Sequence, residues 1–242
     1  MSMRLALYWA PEVSDPLHAA ASAWLGRDAE TGAALPQPGV PGLDLHALTA
    51  DARRYGFHAT LKPPFHLATS YAAARAAAAE LAAAVPPFAL PPLRIADLDG
   101  FLALRVCEPC PALHAFADAC VRQLDAHRAP PAEAELARRR PERLSARQRG
   151  YLEAWGYPHV FEEWRFHLTL SCRLSGEQRP VLHAAANAVL AEAAGRPRVV
   201  RELCLFTQAA SGAPFLIAER LPLMGQGKDQ AFPPNVLNLR PL

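Results

Sequence analysis

The sequence predicts an α+β protein, a single domain over 1–242 made of two related lobes, and three observations carry that prediction. First, a five-residue frame occurs twice, Phe-His-Ala-Thr-Leu at 57–61 and Phe-His-Leu-Thr-Leu at 166–170, with His58 and His167 separated by 109 positions. Second, each copy is followed by a helical pattern and then two strand-like runs, a period too long for a solenoid array but suited to a duplicated lobe. Third, 242 residues that are 51% hydrophobic and 20% charged can bury a sizeable core.

The elements follow in order. Residues 4–10, "RLALYWA", alternate and are β-prone, giving a first strand. Asp15 followed by Pro16 starts a helix that Gly26 ends, and 26–44 read as a long loop. "YGFHATLKPPF" (55–65) reads as a strand, and Ser70 caps an Ala-rich helix over about 71–84. Strands near 88–97 and 101–106 are joined by the turn residues "DLDG", and a helix over about 111–127 shows an apolar face. Residues 128–143 look like an exposed polar connection. Ser145 with Gln148 forms a capping box for a helix that stops at Gly156, and "WRFHLTLS" (164–171) reads as the second motif strand. Ser175 with Gln178 opens a helix to about Ala194, strands follow at 198–208 and 213–223, and "GQGKDQAFPPN" looks loose.

Composition narrows the function classes. A formal charge of +2 gives no field strong enough to require a nucleic acid or a membrane as partner. No apolar run approaches membrane-spanning length and the N-terminus lacks a cleavable leader pattern, so a cytoplasmic protein without a membrane partner is expected. Five cysteines make an odd, sparse set that fits reduced thiols better than a disulfide framework. Nothing in the pattern calls for a second chain, and a monomer is expected.

Chemistry concentrates in the repeated frame. Side chains two apart on a strand share a face, so His58, Thr60 and Lys62 are expected to line up, as are Arg165, His167, Thr169 and Ser171. A lone histidine on a strand is commonly structural. The chain has only six threonines, yet two fall at the same offset from a histidine in the same frame. A core does not ask for that coincidence, because buried polar groups cost free energy unless paired. Two imidazoles can serve as general base and general acid. Two threonine hydroxyls, with Lys62, Arg165 or Ser171 near them, can donate to the oxygens of a phosphate. That is chemistry for a phosphodiester, most simply a strained cyclic one, and it asks for no metal and no cofactor.

The paired motif resembles that of the two-histidine phosphoesterase superfamily. "RYGFHATLKPPF" with "LSARQRGYLEAWGYPHVFEEWRFHLTLS" is similar to a bacterial branch of phosphonate-metabolism proteins, over most of the chain. The resemblance implies a bilobal fold with pseudo-twofold symmetry, each lobe an antiparallel sheet flanked by helices, with a cleft between the lobes. It also implies metal-independent opening of a small ribose-derived cyclic phosphate, with His58, Thr60, His167 and Thr169 as the catalytic set. An RNA or oligonucleotide 2',3'-cyclic phosphodiesterase is the alternative within the class, and a non-turning-over phosphate-binding module the alternative outside it.

Other candidates read as background. In "FHLATS", Thr69 is three residues from His66 and would face away from it. "CEPC" (107–110) lacks a second ligand pair for zinc. "ARRRPER" (137–143) reads as a solvated basic face. Tyr8 is a packing residue that could reach the cleft.

Overall fold

Strand β1 (Arg4–Trp9) runs through the middle of the computed structural model, which describes residues 3–226. Its alternation is used on both faces: Leu5, Leu7 and Trp9 enter the main core, while Ala6, Tyr8 and Ala10 join a smaller cluster with Phe206 and Phe215. Helix α1 (Pro16–Leu25) starts as its sequence predicts, with the Asp15 carboxylate accepting from the Leu17 amide and Gly26 closing it at φ 80°. Two short helices follow, α2 (Leu45–Leu48) and α3 (Ala50–Tyr55), in a stretch without a periodic sequence signal. The first half then continues with β2 (Ala59–His66), α4 (Tyr71–Ala84), β3 (Phe88–Leu90), β4 (Leu93–Leu98), β5 (Phe101–Val106) and α5 (Pro111–Gln123). The second runs through α6 (Glu133–Arg138), α7 (Ala146–Trp155), β6 (Leu168–Arg173), α8 (Gln178–Gly195), β7 (Arg198–Val200), β8 (Glu202–Gln208) and β9 (Leu216–Pro222).

Several boundaries differ from expectation for identifiable reasons. The strand expected over 88–97 breaks at Pro91 and Pro92, which have no N–H to donate, leaving β3 to pair with β7 in a separate two-stranded sheet. The strand expected over 198–208 also splits, at Arg201, between β7 in the small sheet and β8 in the large one. Residues 128–143 are not all irregular, since α6 lies within them, although it has no buried residue. The motif strand expected over 164–171 begins only at Leu168. Both capping boxes form, Ser145 with Gln148 and Ser175 with Gln178. The expected loose stretch from 225 lies outside the described residues from 227 onward.

The two expected half-sheets are present, joined into one seven-stranded antiparallel sheet in the order β4-β5-β6-β2-β1-β8-β9. The duplicated copies exchange their hairpins across it. The β4–β5 hairpin, which follows the first motif strand β2, pairs with the second motif strand β6, while β8–β9, which follows β6, sits beside β1 and β2. Helix α4 packs on β8 and β9, and α8 packs on β4 and β5. The two motif strands therefore meet at the centre of the sheet.

One buried cation fixes the approach to the first motif strand. Arg27, 8% exposed, donates from Nε to the Arg53 carbonyl at 2.9 Å and from Nη2 to the carbonyls of Arg54 and Phe215 at 3.2 and 2.9 Å. The Arg53 and Arg54 carbonyls end α3, where the helix dipole favours a positive charge, and lead directly into Gly56 and β2, while the Phe215 carbonyl ties in the chain just before β9. Replacing Arg27 by Met removes all three of these contacts, leaving the Arg53 and Arg54 carbonyls with only the Gly56 and Phe215 amides. Arg27→Met is expected to cost about 2 kcal/mol or more in denaturant unfolding, and a change below about 0.5 kcal/mol would show that the clamp contributes nothing.

Candidate active site

β2 and β6 share a single ladder pair, Ala59 with Leu168. Both side chains are fully buried. In an antiparallel ladder one step either way sets His58 opposite Thr169 and Thr60 opposite His167, all four on the face away from the core. Each histidine is the residue just before its strand and each threonine lies one position inside it. A cavity of about 210 Å³ is lined by His58, Thr60, Thr169 and Tyr8. A larger one of about 500 Å³ is lined by His167, Thr60 and Arg165. Thr60 and Tyr157 line both, so the two hollows form one cleft astride the strand junction.

The two imidazoles are held in the same way. His58 Nδ1 lies 2.9 Å from the Gly56 carbonyl and His167 Nδ1 lies 2.8 Å from the Arg165 carbonyl, in each case two residues back. A carbonyl can only accept, so Nδ1 carries the proton and the lone pair of the neutral ring sits on Nε2. The Thr60 hydroxyl is 3.3 Å from His58 Nε2, placed to donate to it. Tyr8 stacks under His58 with ring centroids 3.7 Å apart at 16°, whereas His167 has an edge contact with Phe101 at 5.9 Å. Burial, with a smaller opposing pull from the Gly56 carbonyl and a push from His167, lowers His58 to about 4. Burial and the Arg105 charge also lower His167 from its ordinary value, against the pull of the Arg165 carbonyl.

Gly56 makes the first of these contacts possible. It sits at φ 80° and ψ 172°, and a Cβ there would come within 2.5 Å of the Ala29 Cβ. Only glycine fits without displacement.

The flanking candidates go different ways. Tyr8 is buried and reaches the cleft as the floor beneath His58. Arg165 is exposed on the rim, 3.5 Å from Asp99. Lys62 is not on the cleft face. The β1–β2 register shifts between Tyr8, opposite Thr60, and Leu7, opposite Lys62, so Leu61 is an extra residue and Lys62 shares the core face of Leu7. There its ammonium donates to the Val121 carbonyl at 3.0 Å and meets Asp125 at 3.3 Å. Ser171 departs at the matching step. The β5–β6 register slips between Thr169 and Arg173, and the Ser171 hydroxyl accepts from the Leu102 amide at 3.0 Å and donates to the Cys172 carbonyl at 2.9 Å. Both residues lie four after their histidine, and both brace a bulge instead of facing the cleft.

Several lining residues escape sequence reasoning. The Trp164 indole donates to the Thr60 carbonyl at 2.8 Å, tying the second motif to the first. Arg105 sits beyond Ala103, which pairs with Thr169, and its buried Nε has no hydrogen-bond partner among the described residues. Arg139, from the run read as a solvated face, lies over the Tyr157 ring at 4.7 Å and lines the His58 side of the cleft with Arg4 and Tyr55. Eighteen positions separate Arg139 from Tyr157, so the sequence carries no short-range signal of this contact. Cys110 of "CEPC" is buried with its thiol toward the Ala89 carbonyl at 3.7 Å, while Cys107 is exposed. Among the described residues, no three His, Cys, Asp or Glu side chains gather into a group able to hold a metal, and no helix is long and apolar enough to cross a membrane.

Fold and site together define an α+β protein with a paired His-x-Thr centre at the middle of one antiparallel sheet. The family described as "Protein of unknown function (DUF1045)" matches residues 60–216, and the chain belongs to it. It is 39% identical over 243 residues to "Ribose 1,5-bisphosphate phosphokinase PhnN" of Janthinobacterium sp. (strain Marseille), covering 95% of this chain and 53% of that protein. It is 38% identical over 229 residues to the protein of the same name from Laribacter hongkongensis (strain HLHK9), covering 93% of this chain and 53% of that one. The chain thus spans about half the length of these curated relatives. Among solved structures, "Crystal structure of phosphoesterase" aligns at 14% identity with a TM-score of 0.44, over 93% of this chain and 100% of that one. "Crystal structure of E.coli LigT complexed with 3'-AMP" aligns at 14% identity with a TM-score of 0.41, with the same coverage.

The placement of Lys62 has a measurable consequence. Burial lowers its ammonium to about 8, while Asp125 pulls the other way. The unfolded chain keeps this proton up to its ordinary value near 10.5. Between those values the unfolded state binds more protons, so stability rises with pH through this window, and the penalty is fully present below it. Lys62→Met removes the penalty, and Asp125 keeps Arg128 at 2.7 Å. The variant's stability relative to wild type is therefore expected to be greatest at pH 7 and to decline from pH 8 to 10 in denaturant titrations, with affinity for inorganic phosphate unaltered. A loss of phosphate affinity would put Lys62 in the site after all.

Proposed function

We propose that this chain is a phosphodiesterase that opens a small ribose-derived cyclic phosphate, using His58 and His167 as general base and acid and Thr60 and Thr169 to hold the phosphate. The observation that carries the reading is the reciprocal register: each imidazole faces the other copy's threonine across one strand pair, with both Nδ1 atoms anchored on carbonyls. Such an arrangement offers two Nε2 atoms and two hydroxyls to one group lying across the junction.

In this reading His58 is the base. It is neutral at ordinary pH with its lone pair on Nε2, Tyr8 holds the ring, and the Thr60 hydroxyl that donates to Nε2 in the free protein turns to the phosphate when substrate binds. It removes a proton from water as the oxygen attacks phosphorus. The ring P–O bond on the opposite side breaks, and His167, entering as the imidazolium, gives its Nε2 proton to the leaving alkoxide. Water adds across one P–O bond, yielding a monoester and a hydroxyl, and a proton passes from His58 to His167 through solvent to complete the cycle. Hydrogen bonds from the two threonines strengthen as charge builds on the non-bridging oxygens.

The name of the curated relatives supports a ribose substrate. It states that those proteins act on ribose 1,5-bisphosphate, and opening a 5-phosphorylated ribosyl 1,2-cyclic phosphate at O2 produces that compound. The sequence here holds no Gly-x4-Gly-Lys-Ser/Thr loop of the kind that cradles nucleotide phosphates, so the kinase activity in that name is not part of this proposal. A role in phosphonate breakdown rests on the resemblance of the sequence. A second reading, a nucleoside 2',3'-cyclic phosphate as substrate, draws on Phe101, Tyr157 and Trp164 lining the His167 side of the cleft, where a base could stack.

Phosphorus NMR with excess chelator tests the proposal. Wild type is expected to convert the cyclic signal of ribosyl 1,2-cyclic phosphate 5-phosphate to a monoester, and His58→Ala and His167→Ala are each expected to slow this by about 10² or more. Persistence of the cyclic signal with bound ligand would favour the binding module, and loss of activity on adding chelator would favour a metal. The pH profile gives an independent check. For the free protein, kcat/KM should fall on the acid side near pH 4 as His58 is protonated and on the alkaline side below pH 6.5 as His167 loses its proton. His167→Gln should abolish the alkaline limb; an alkaline limb that survives would remove His167 from the acid role.

A further inference from the structure

Beyond the two-histidine centre the cleft continues into a second hollow, of about 400 Å³, lined by Arg4, Tyr55, His66, Arg138, Arg139 and Gln208, with Glu135 and Ser211 also on its wall. Arg4, Tyr55 and Arg139 line this hollow and the His58 hollow alike. We propose that Arg4 and Arg139 form a second anion site that takes a phosphate monoester carried at the far end of the substrate, so that the preferred substrate bears two phosphoryl groups. The proposal deepens the cyclic phosphodiesterase reading and rests on it.

The two arginines differ from those that the protein neutralises with its own carboxylates. Arg54, Arg75, Arg128, Arg179, Arg196, Arg198 and Arg220 each meet a carboxylate within 3.3 Å. Arg4 and Arg139 meet none within 4.0 Å among the described residues, and their partners are neutral. Arg4 Nε donates to Gln208 Oε1 at 2.8 Å, and its guanidinium lies 5.3 Å from the Phe215 ring. Gln208 is 2% exposed and its amide nitrogen donates to the Ala213 carbonyl at 2.6 Å, which fixes the oxygen toward Arg4. The two terminal nitrogens of Arg4 are left without a hydrogen-bond partner among the described residues. Arg139 rests on the Tyr157 ring, an aromatic support that orients a guanidinium without neutralising it.

Placement on β1 sets the scale. Arg4, Ala6 and Tyr8 alternate onto one face, in unbroken register with β8 from Arg4–Gln208 to Tyr8–Cys204. Arg4 and Tyr8 are therefore about 13 Å apart along the strand, and the long Arg4 side chain shortens that span from its own end. Tyr8 lies under His58. The distance is that of a compact phosphorylated sugar, with one phosphate at the histidines and the other at the arginines. Two guanidinium forks match the oxygens of a phosphate monoester.

The test is the ratio of kcat/KM for ribosyl 1,2-cyclic phosphate 5-phosphate to that for ribosyl 1,2-cyclic phosphate, read for wild type, Arg4→Met, Arg139→Met and Arg139→Lys. A ratio of about tenfold or more in wild type, reduced at least about tenfold in one Met variant and partly restored in Arg139→Lys, is expected. An unchanged ratio in both Met variants overturns the site. Stronger preference for a dinucleotide ending in a 2',3'-cyclic phosphate overturns the monoester assignment. If wild type opens none of these rings, the catalytic reading fails by itself, and calorimetry with ribose 5-phosphate decides the site: binding by wild type that both Met variants weaken supports it, and absence of binding overturns it.

Discussion

Among the described residues Ala59 and Leu168 form the only ladder pair between the two halves of the sheet, and the geometry of the site depends on it. A slip of one residue in that pair would turn one strand over relative to the other, leaving one imidazole in the cleft and sending the other toward the core. The contact is short because each motif strand bulges immediately after its threonine, at Leu61 in β2 and between Thr169 and Arg173 in β6. Bulges bend and twist a strand, so the halves diverge on either side of the pair and leave a hollow there. Two indoles secure what the ladder does not: Trp164 donates to the Thr60 carbonyl and Trp24 to the Leu170 carbonyl, at 2.8 and 2.9 Å.

The electrostatics follow from the same placement. Imidazoles at a strand junction over a packed sheet lose water, and burial is the largest cause of the lowered proton affinity at both. A neutral His58 ring with protonated Nδ1 then presents its lone pair to the cleft. Positive charge lies nearby, from Arg105 on the His167 side and from Arg4 and Arg139 on the His58 side, while Asp99 and Glu163 line the outer His167 hollow. An anion entering this region meets donors, and by its own charge it would raise the proton affinity of both histidines.

Much of this was legible in the chain because it depends on local chemistry. The repeated frame, the caps at Asp15, Ser70 and Ser145 and the glycine stops at Gly26 and Gly156 all act within a few residues, and the structure carries them. The pairing of the motif strands was expected only through resemblance; nothing in either stretch states its register with the other. Strict alternation misplaced Lys62 and Ser171 because a bulge is a property of two strands read together. Arg139 was hidden for a related reason: a basic run looks solvated until Tyr157, eighteen positions away, is brought beneath it.

The duplication is not exact, and its inexactness separates the two histidines. β1 lies between β2 and β8 in one half, whereas β5 pairs directly with β6 in the other. The extra strand brings Tyr8 under His58 and, with Phe206 and Phe215, closes the cleft-side face of that half. On the other side Phe101 touches His167 by its edge and the wider hollow opens above it. Identical motifs thus receive unequal environments: one ring stacked and held strongly neutral, the other less enclosed and beside a wider entrance. A pair of titratable groups whose surroundings push them apart is what acid and base roles require. In this chain that difference traces to a strand belonging to neither copy.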